Sequence, residues 1–118
     1  MAVPDERIVA KIIFPVVDMT SAVAFYRGLG FEVEAYDHGY AWVRYRGGEV
    51  LHLALVEGLD PAANRAAGYF HVQDPDAWHA AFTAVGAELS PVADRPWAMR
   101  EFELRDPSGN LLRVGANL

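Results

Sequence analysis

The stretch Val16-Val17-Asp18-Met19-Thr20-Ser21-Ala22-Val23-Ala24-Phe25-Tyr26-Arg27-Gly28-Leu29-Gly30 decides the fold, because it is answered 56 residues later by Val72-Gln73-Asp74 with Trp78, Ala81, Phe82, Val85 and Gly86. In each copy an extended apolar run leads into a segment whose apolar residues fall at i, i+3, i+4 and i+7, which places them on one face of a helix. Several short strand-like runs follow each helix, so the repeating unit is a strand, a helix and then further strands. The chain therefore reads as a duplicated half of α+β class. Two such modules predict a curved, cup-shaped mixed sheet, and its concave face is a natural place for a ligand.

Working outward, residues 8–17 alternate like a strand, with Lys11, Ile13 and Pro15 on one face and Ile12, Phe14 and Val16 on the other. Asp18 or Thr20 is placed to cap the first helix, and Gly28 and Gly30 to end it. Strands are predicted over 31–36, 40–45 and 49–56, separated by Asp37-His38-Gly39 and Arg46-Gly47-Gly48, which have hairpin chemistry. The second module opens with a strand over 68–72. Asp74-Pro75 then reads as an N-cap followed by proline at the first helical position, and the helix stops at Gly86. Strands over 89–92, 97–105 and 110–114 complete it, with a tight turn at Asp106-Pro107-Ser108-Gly109. This gives one domain over 1–118: module one at about 7–57, a linker at 58–66 and module two at about 67–118, each a βαβββ unit.

Composition narrows the function. A chain of 118 residues that is 53% apolar can bury a core. No apolar run approaches the roughly 18 residues of a membrane span, and residues 1–7 are too charged and too short for a secretory signal. A cytoplasmic protein without membrane contact is expected. Zero cysteines exclude disulfides, thiolate metal sites and cysteine nucleophiles. The net charge is −6 and the ten Lys and Arg are scattered, which leaves no footprint for nucleic acid and favours cationic small molecules at long range. Gly28-Leu29-Gly30 is helix-stop chemistry, not a dinucleotide loop. Ser21, Ser90 and Ser108 lie in cap or turn contexts with no nucleophile elbow.

Ser21-Ala22-Val23-Ala24-Phe25-Tyr26 with Leu29-Gly30-Phe31, Arg95-Pro96-Trp97 with Arg100-Glu101-Phe102, and Leu104-Arg105-Asp106-Pro107-Ser108-Gly109-Asn110 resemble the vicinal oxygen chelate superfamily, which includes glyoxalases and dioxygenases, and within it most of all the bleomycin resistance proteins. The resemblance covers essentially the whole chain and implies paired βαβββ modules. In metal-dependent members it implies a ligand in the first strand and the last strand of each module. Carried onto this sequence, those positions are Lys11, His52, Ala67 and Arg113. Only His52 offers a lone pair to a divalent metal, because Lys11 and Arg113 are protonated and Ala67 has no donor. One imidazole is short of the about three protein ligands that a catalytic metal needs. The sequence thus reads as a metal-free binder with no cofactor and no catalytic residue. Members of this superfamily also imply a homodimer with clefts between modules of different protomers; whether the modules pack within one chain or swap across two stays open.

Aromatic residues carry the binding signal. Tyr40 and Trp42 share one strand face, Tyr69 opens the second module, and Trp97 lies beside Pro96 where no periodicity requires it. Flat rings hold planar heterocycles by offset stacking, worth roughly 0.5–1.5 kcal/mol each beyond area burial. Phe25, Tyr26, Trp78 and Phe82 follow helical spacing and read as core. His52 sits in an apolar strand as a hydrogen-bonded histidine or a ligand contact, and His71 shares the face of Tyr69; His38 and His79 read as solvated. Glu32 with Glu34, and Glu101 with Glu103, alternate on strands as solvated faces that would form a negative rim. The expected function is stoichiometric sequestration of a cationic, aromatic antibiotic of the bleomycin class, with Tyr40, Trp42, His52, Tyr69, His71, Trp97 and Arg113 as ligand contacts. The alternatives are a superfamily enzyme, such as a lyase or isomerase acting on a small oxygenated metabolite through His52, or a binder of another natural product.

Overall fold

Alternation of Phe14 and Val16, both buried, with Ile13 and Pro15, which turn the other way, makes Ile13–Val16 the first strand, β1. The computed structural model describes residues 2–118. Helix α1 spans Met19–Gly28 and is capped by Asp18, whose carboxylate accepts from Ser21 N at 3.1 Å; Ala22 and Tyr26 are its buried stripe. Three strands follow, β2 at Glu32–Asp37, β3 at Tyr40–Tyr45 and β4 at Gly48–Leu55. After a 3-10 turn at Pro61–Ala63, β5 at Ala67–His71 leads into α2 at Pro75–Ala84, capped by Asp74 on Ala77 N at 3.1 Å. β6 at Ala93–Asp94, β7 at Met99–Arg105 and β8 at Leu111–Asn117 close the second module.

The duplication predicted from the sequence is present in the topology. One sheet runs β1-β4-β3-β2 and the other β5-β8-β7-β6, each with one parallel pair, β1 with β4 and β5 with β8, and two antiparallel pairs. Both sheets are open. Ile13 faces His52 across β1 and β4, and Tyr69, 56 residues after Ile13, faces Arg113 across β5 and β8, so the equivalent parallel pairs share a register although the second module is longer between their strands. Among the described residues no helix is long and apolar enough to cross a membrane.

Three local expectations are corrected. The first strand is not 8–17: Ile8 and Val9 are 87% and 69% exposed with no ladder partner, and pairing starts where His52 N donates to Ile12 O at 2.8 Å. The predicted strand at 89–92 is instead a segment tied by Ser90, whose N donates to Glu103 O at 3.0 Å and whose hydroxyl accepts from Glu103 N at 2.8 Å. Pro91 has no N–H to continue a ladder, so pairing resumes only at Ala93 and Asp94. Trp97 lies in the turn ahead of β7, closed by Arg95 N to Met99 O at 2.7 Å, and is not in the strand.

The modules share one core within a single chain. Phe14, Val16, Tyr26, Leu51 and Leu53 from the first pack in the same buried cluster as Phe82, Phe102, Leu112 and Val114 from the second. Each such Leu or Phe contributes about 1.5–3 kcal/mol by leaving water. Phe25 and Trp78 pack half-buried against this cluster. At Gly68 an added Cβ would stand 3.0 Å from Ile12 Cδ1 and 3.1 Å from Phe14 Cζ, so β5 approaches the first module closely there.

The turn at 106–110 fastens the two halves. Asp106, buried, accepts from Tyr26 Oη at 2.8 Å, Ser108 N at 2.9 Å and Asn110 N at 3.0 Å. Asn110 Nδ2 donates to Pro15 O at 2.8 Å, and the Ser108 hydroxyl accepts from Val17 N at 2.9 Å. Asn64 joins from the inter-module segment, donating to Ser108 O and Asn110 Oδ1, each at 2.9 Å. Burial first, and then the Asp106 carboxylate, push the Tyr26 hydroxyl well above the ordinary tyrosine range.

Candidate functional site

In each sheet the helix packs on one face, and the residues of opposite parity line a second, open face. On the first sheet that open face carries Tyr40, Trp42 and Arg44 from β3 with His52 from β4, since Ala41, Val43, Leu51 and Leu53 turn to the core. Tyr40 Oη lies 2.6 Å from His52 Nδ1, and Trp42 is paired in register with His52. Strict alternation would put Glu49 on the core side with Leu51. A β-bulge shifts the register after Val43, so that Arg44 pairs with Glu49, and the Glu49 carboxylate swings onto the open face 2.7 Å from His52 Nε2.

Glu49 then gathers the neighbouring charges. Lys11 Nζ and Arg44 Nη2 each lie 3.8 Å from it, and Arg44 also pairs with Glu34 at 2.8 Å. The hydrogen bond from His52, with Lys11 and Arg44 adding to it against some desolvation, holds the Glu49 carboxyl below its ordinary range. Arg44 also rests 5.3 Å over Trp42. Tyr36, the extra residue at a second bulge in β2, packs edge-on to Trp42 with ring centroids 5.7 Å apart. Together with Asp37 and Gly39 these rings border an open recess of about 480 Å³.

The second sheet has its own cluster. Tyr69 Oη donates to Glu101 Oε2 at 2.8 Å and Trp97 Nε1 donates to Glu101 Oε1 at 3.2 Å, with Arg95 Nε 3.9 Å away. Glu101 is 2% exposed, which corrects its reading as half of a solvated acidic face: Tyr69 and Trp97 fold over it. Gly115, its register partner, makes room, because a Cβ there would run into the Tyr69 hydroxyl and Glu101 Cβ. Burial first, then the hydrogen bond to Glu101, push the Tyr69 hydroxyl up to about 12. Trp97 stays 55% exposed, with the guanidinium carbons of Arg95 and Arg113 5.9 and 6.0 Å from its ring. Arg113 pairs with Glu103 at 3.4 Å as Arg44 does with Glu34 at 2.8 Å, so the expected acidic rim is largely charge-balanced.

The seven expected ligand contacts thus fall into two groups on different sheets: Tyr40, Trp42 and His52 on one, Tyr69, His71, Trp97 and Arg113 on the other. His71 is exposed beside Tyr69, with ring centroids 5.7 Å apart. Both border a third feature, a groove of about 790 Å³ between the modules that also runs along Ile12, Tyr45 and Trp78. His38 is exposed, whereas His79 is not solvated as expected: it is half-buried, its Nε2 3.0 Å from Ser90 O and its ring edge-on to Phe102. Glu49 stands outside the seven expected contacts, and Glu101, expected as part of an acidic rim, is the buried acceptor of the second cluster.

The four positions matched to metal ligands do not make a donor set. Lys11 and His52 both turn to Glu49, Ala67 has no donor and Arg113 is paired with Glu103. Among the described residues no group of three or more His, Cys, Asp and Glu stands in a metal-holding arrangement.

Residues 8–114 match the family model described as the Glyoxalase/Bleomycin resistance protein/Dioxygenase superfamily. The fold is similar to the crystal structure of a bleomycin-binding protein complexed with bleomycin, at 25% identity over 95% of this chain and 100% of that one, with a TM-score of 0.85. It is equally similar to a bleomycin resistance determinant encoded on the transposon Tn5, at 25% identity over 94% and 98% of the two chains and a TM-score of 0.85. The bleomycin-binding protein of bleomycin-producing Streptomyces verticillus, complexed with copper(II)-bleomycin, matches at 29% identity over 96% and 98%, with a TM-score of 0.82. No curated protein matches the sequence.

Proposed function

This chain belongs to the glyoxalase/bleomycin resistance protein/dioxygenase superfamily, and from that premise we propose that it is a binding protein that sequesters a cationic, aromatic antibiotic of the bleomycin class without turning it over. The observation that carries this reading is the pair of aromatic, open sheet faces: Tyr36, Tyr40 and Trp42 on one and the half-exposed Trp97 on the other. Flat rings in open positions suit offset stacking on a planar heterocycle. The solved bleomycin-binding and resistance proteins similar along nearly the whole chain support the same class of ligand. A metal-free mode is supported by the donor set, which offers one imidazole, an alanine and two cationic side chains at the four family positions.

The chain acts in this reading as one domain over residues 1–118 in a cytoplasmic homodimer. The two faces belong to separate sheets, and a two-fold pairing would set the first sheet of one protomer against the second sheet of its partner, giving two equivalent clefts. On the second face Arg95 and Arg113 lie beside Trp97, ion-paired with Glu101 and Glu103.

Titration with metal-free bleomycin, followed by tryptophan quenching and calorimetry, tests this. Saturation at one drug per protomer, unchanged by a chelator and weakened in Trp97→Ala, is the expected result. No heat and no quenching at tens of micromolar drug would sink the antibiotic assignment.

A further inference from the structure

The chain of hydrogen bonds Glu49–His52–Tyr40 has a direction. An ionised carboxylate accepts and cannot donate, so Nε2 of the neutral imidazole carries the hydrogen that reaches Glu49 at 2.7 Å. Nδ1 is then bare and accepts the Tyr40 hydroxyl hydrogen at 2.6 Å. With its one hydrogen committed, Tyr40 has only oxygen lone pairs to present. Lys11 and Arg44 flank Glu49 at 3.8 Å and favour its charged form, which fixes the polarity of the whole chain.

Tyr40 borders the recess of about 480 Å³ formed with Tyr36, Asp37, Gly39 and Trp42. The Asp37 carboxylate is a second acceptor there, already turned by its bond from Gly39 N at 2.8 Å. Tyr36 and Trp42, edge-to-face at 5.7 Å, supply the aromatic walls. The neighbouring cation Arg44 is matched by Glu34 at 2.8 Å and rests over the Trp42 ring. Aromatic walls beside the Asp37 carboxylate and the acceptor oxygen of Tyr40 suit a flat cation.

We propose that this recess is a subsite for a flat cationic head group, an amidinium, guanidinium or protonated aromatic amine, and that Tyr40 reads it as a hydrogen-bond acceptor whose polarity Glu49 sets through His52. The proposal rests on the reading of the chain as a binder of a cationic aromatic ligand and names the place that takes the charge. Tyr40 contacts the ligand; His52 and Glu49 are positioning residues.

The test uses benzamidine as a flat cation and benzoate as its anionic counterpart, each titrated into 15N-labelled full-length protein. Benzamidine is expected to give saturable shifts at residues 36–42 and at His52, and benzoate none. The imidazole 15N spectrum is expected to place the hydrogen of neutral His52 on Nε2. Tyr40→Phe should weaken benzamidine about tenfold, the loss of one charge-assisted hydrogen bond. Glu49→Gln should weaken it less and mix the tautomers, because a side-chain amide can donate as well as accept. Melting curves of both variants, which alter an open face, should match the parent. Equal binding of benzoate at the same residues, a hydrogen on Nδ1, or full affinity in Tyr40→Phe would each overturn the proposal. If benzamidine binds as described and bleomycin does not, the drug assignment falls and the subsite stands. If bleomycin binds and benzamidine neither binds nor competes, the reverse holds.

Discussion

Gly115 is the residue on which the second cluster depends. It stands where Tyr69 crosses β8 to reach Glu101, and Gly115→Ala would press a methyl group against the Tyr69 hydroxyl, Glu101 Cβ and the carbonyl of Arg100. Overpacking of this kind is expected to destabilise by about 1–3 kcal/mol, seen as a lower urea midpoint. The variant should also lower the Tyr69 ionisation from about 12 toward the ordinary 10.0, read by ultraviolet titration. The same physics gives an alkaline signature for the parent. Tyr26 and Tyr69 hold their protons more tightly folded than unfolded. Their contribution is fully present below the free tyrosine value and is lost as pH rises through the folded one, so stability should fall from about pH 10 upward. Of five tyrosines, two should resist ionisation until the protein unfolds; early titration of all five would refute this. Residues such as Glu101 were legible as strand positions but not as buried ones, because alternation assigns a face and cannot tell that two aromatic side chains will cover it.

Among the elements, β4 shows how far periodicity carries. Its alternation from Leu51 through Leu53 was readable, yet the bulge ahead of Leu51 moves Glu49 to the face of His52, and nothing in a period of two marks an extra residue. Deleting Val50 would restore strict pairing with Glu49 directly before Leu51, still opposite Arg44 on the open face, so its 2.7 Å bond with His52 should survive. The His52 15N spectrum is expected to match the parent, and a changed spectrum would refute this register. The turn after β7 makes a second case. Its Asp-Pro-Ser-Gly chemistry was plain, but the reason for its glycine is tertiary: Gly109 has φ +83° and the carbonyl of Pro61 occupies the place of a Cβ. Gly109→Ala is therefore expected to destabilise by more than the roughly 1 kcal/mol of a left-handed alanine alone, measured by thermal unfolding.

At the scale of the whole molecule, the repeat announced two modules but not how they meet. The helix-face residues that read as core in each copy, Tyr26 and Phe82 among them, join a single buried cluster, and the charged contact between halves runs through one carboxylate. Asp106→Ala would strand the Tyr26 hydroxyl and the Asn110 and Ser108 amides in the interior. Breaking a buried network of this kind is expected to lower stability by about 3–5 kcal/mol. Parent and variant alike should unfold in one calorimetric transition; two separate transitions would show that the halves are independent. The position of that carboxylate also orders events during synthesis. Chains emerge from the ribosome with their first residues leading, and the partners that Pro15, Val17 and Tyr26 need are Ser108, Asp106 and Asn110. The leading half must wait, unsealed, for almost the whole message to be read, so a transcript truncated before residue 106 would yield a product for the cell's proteases rather than half a binder.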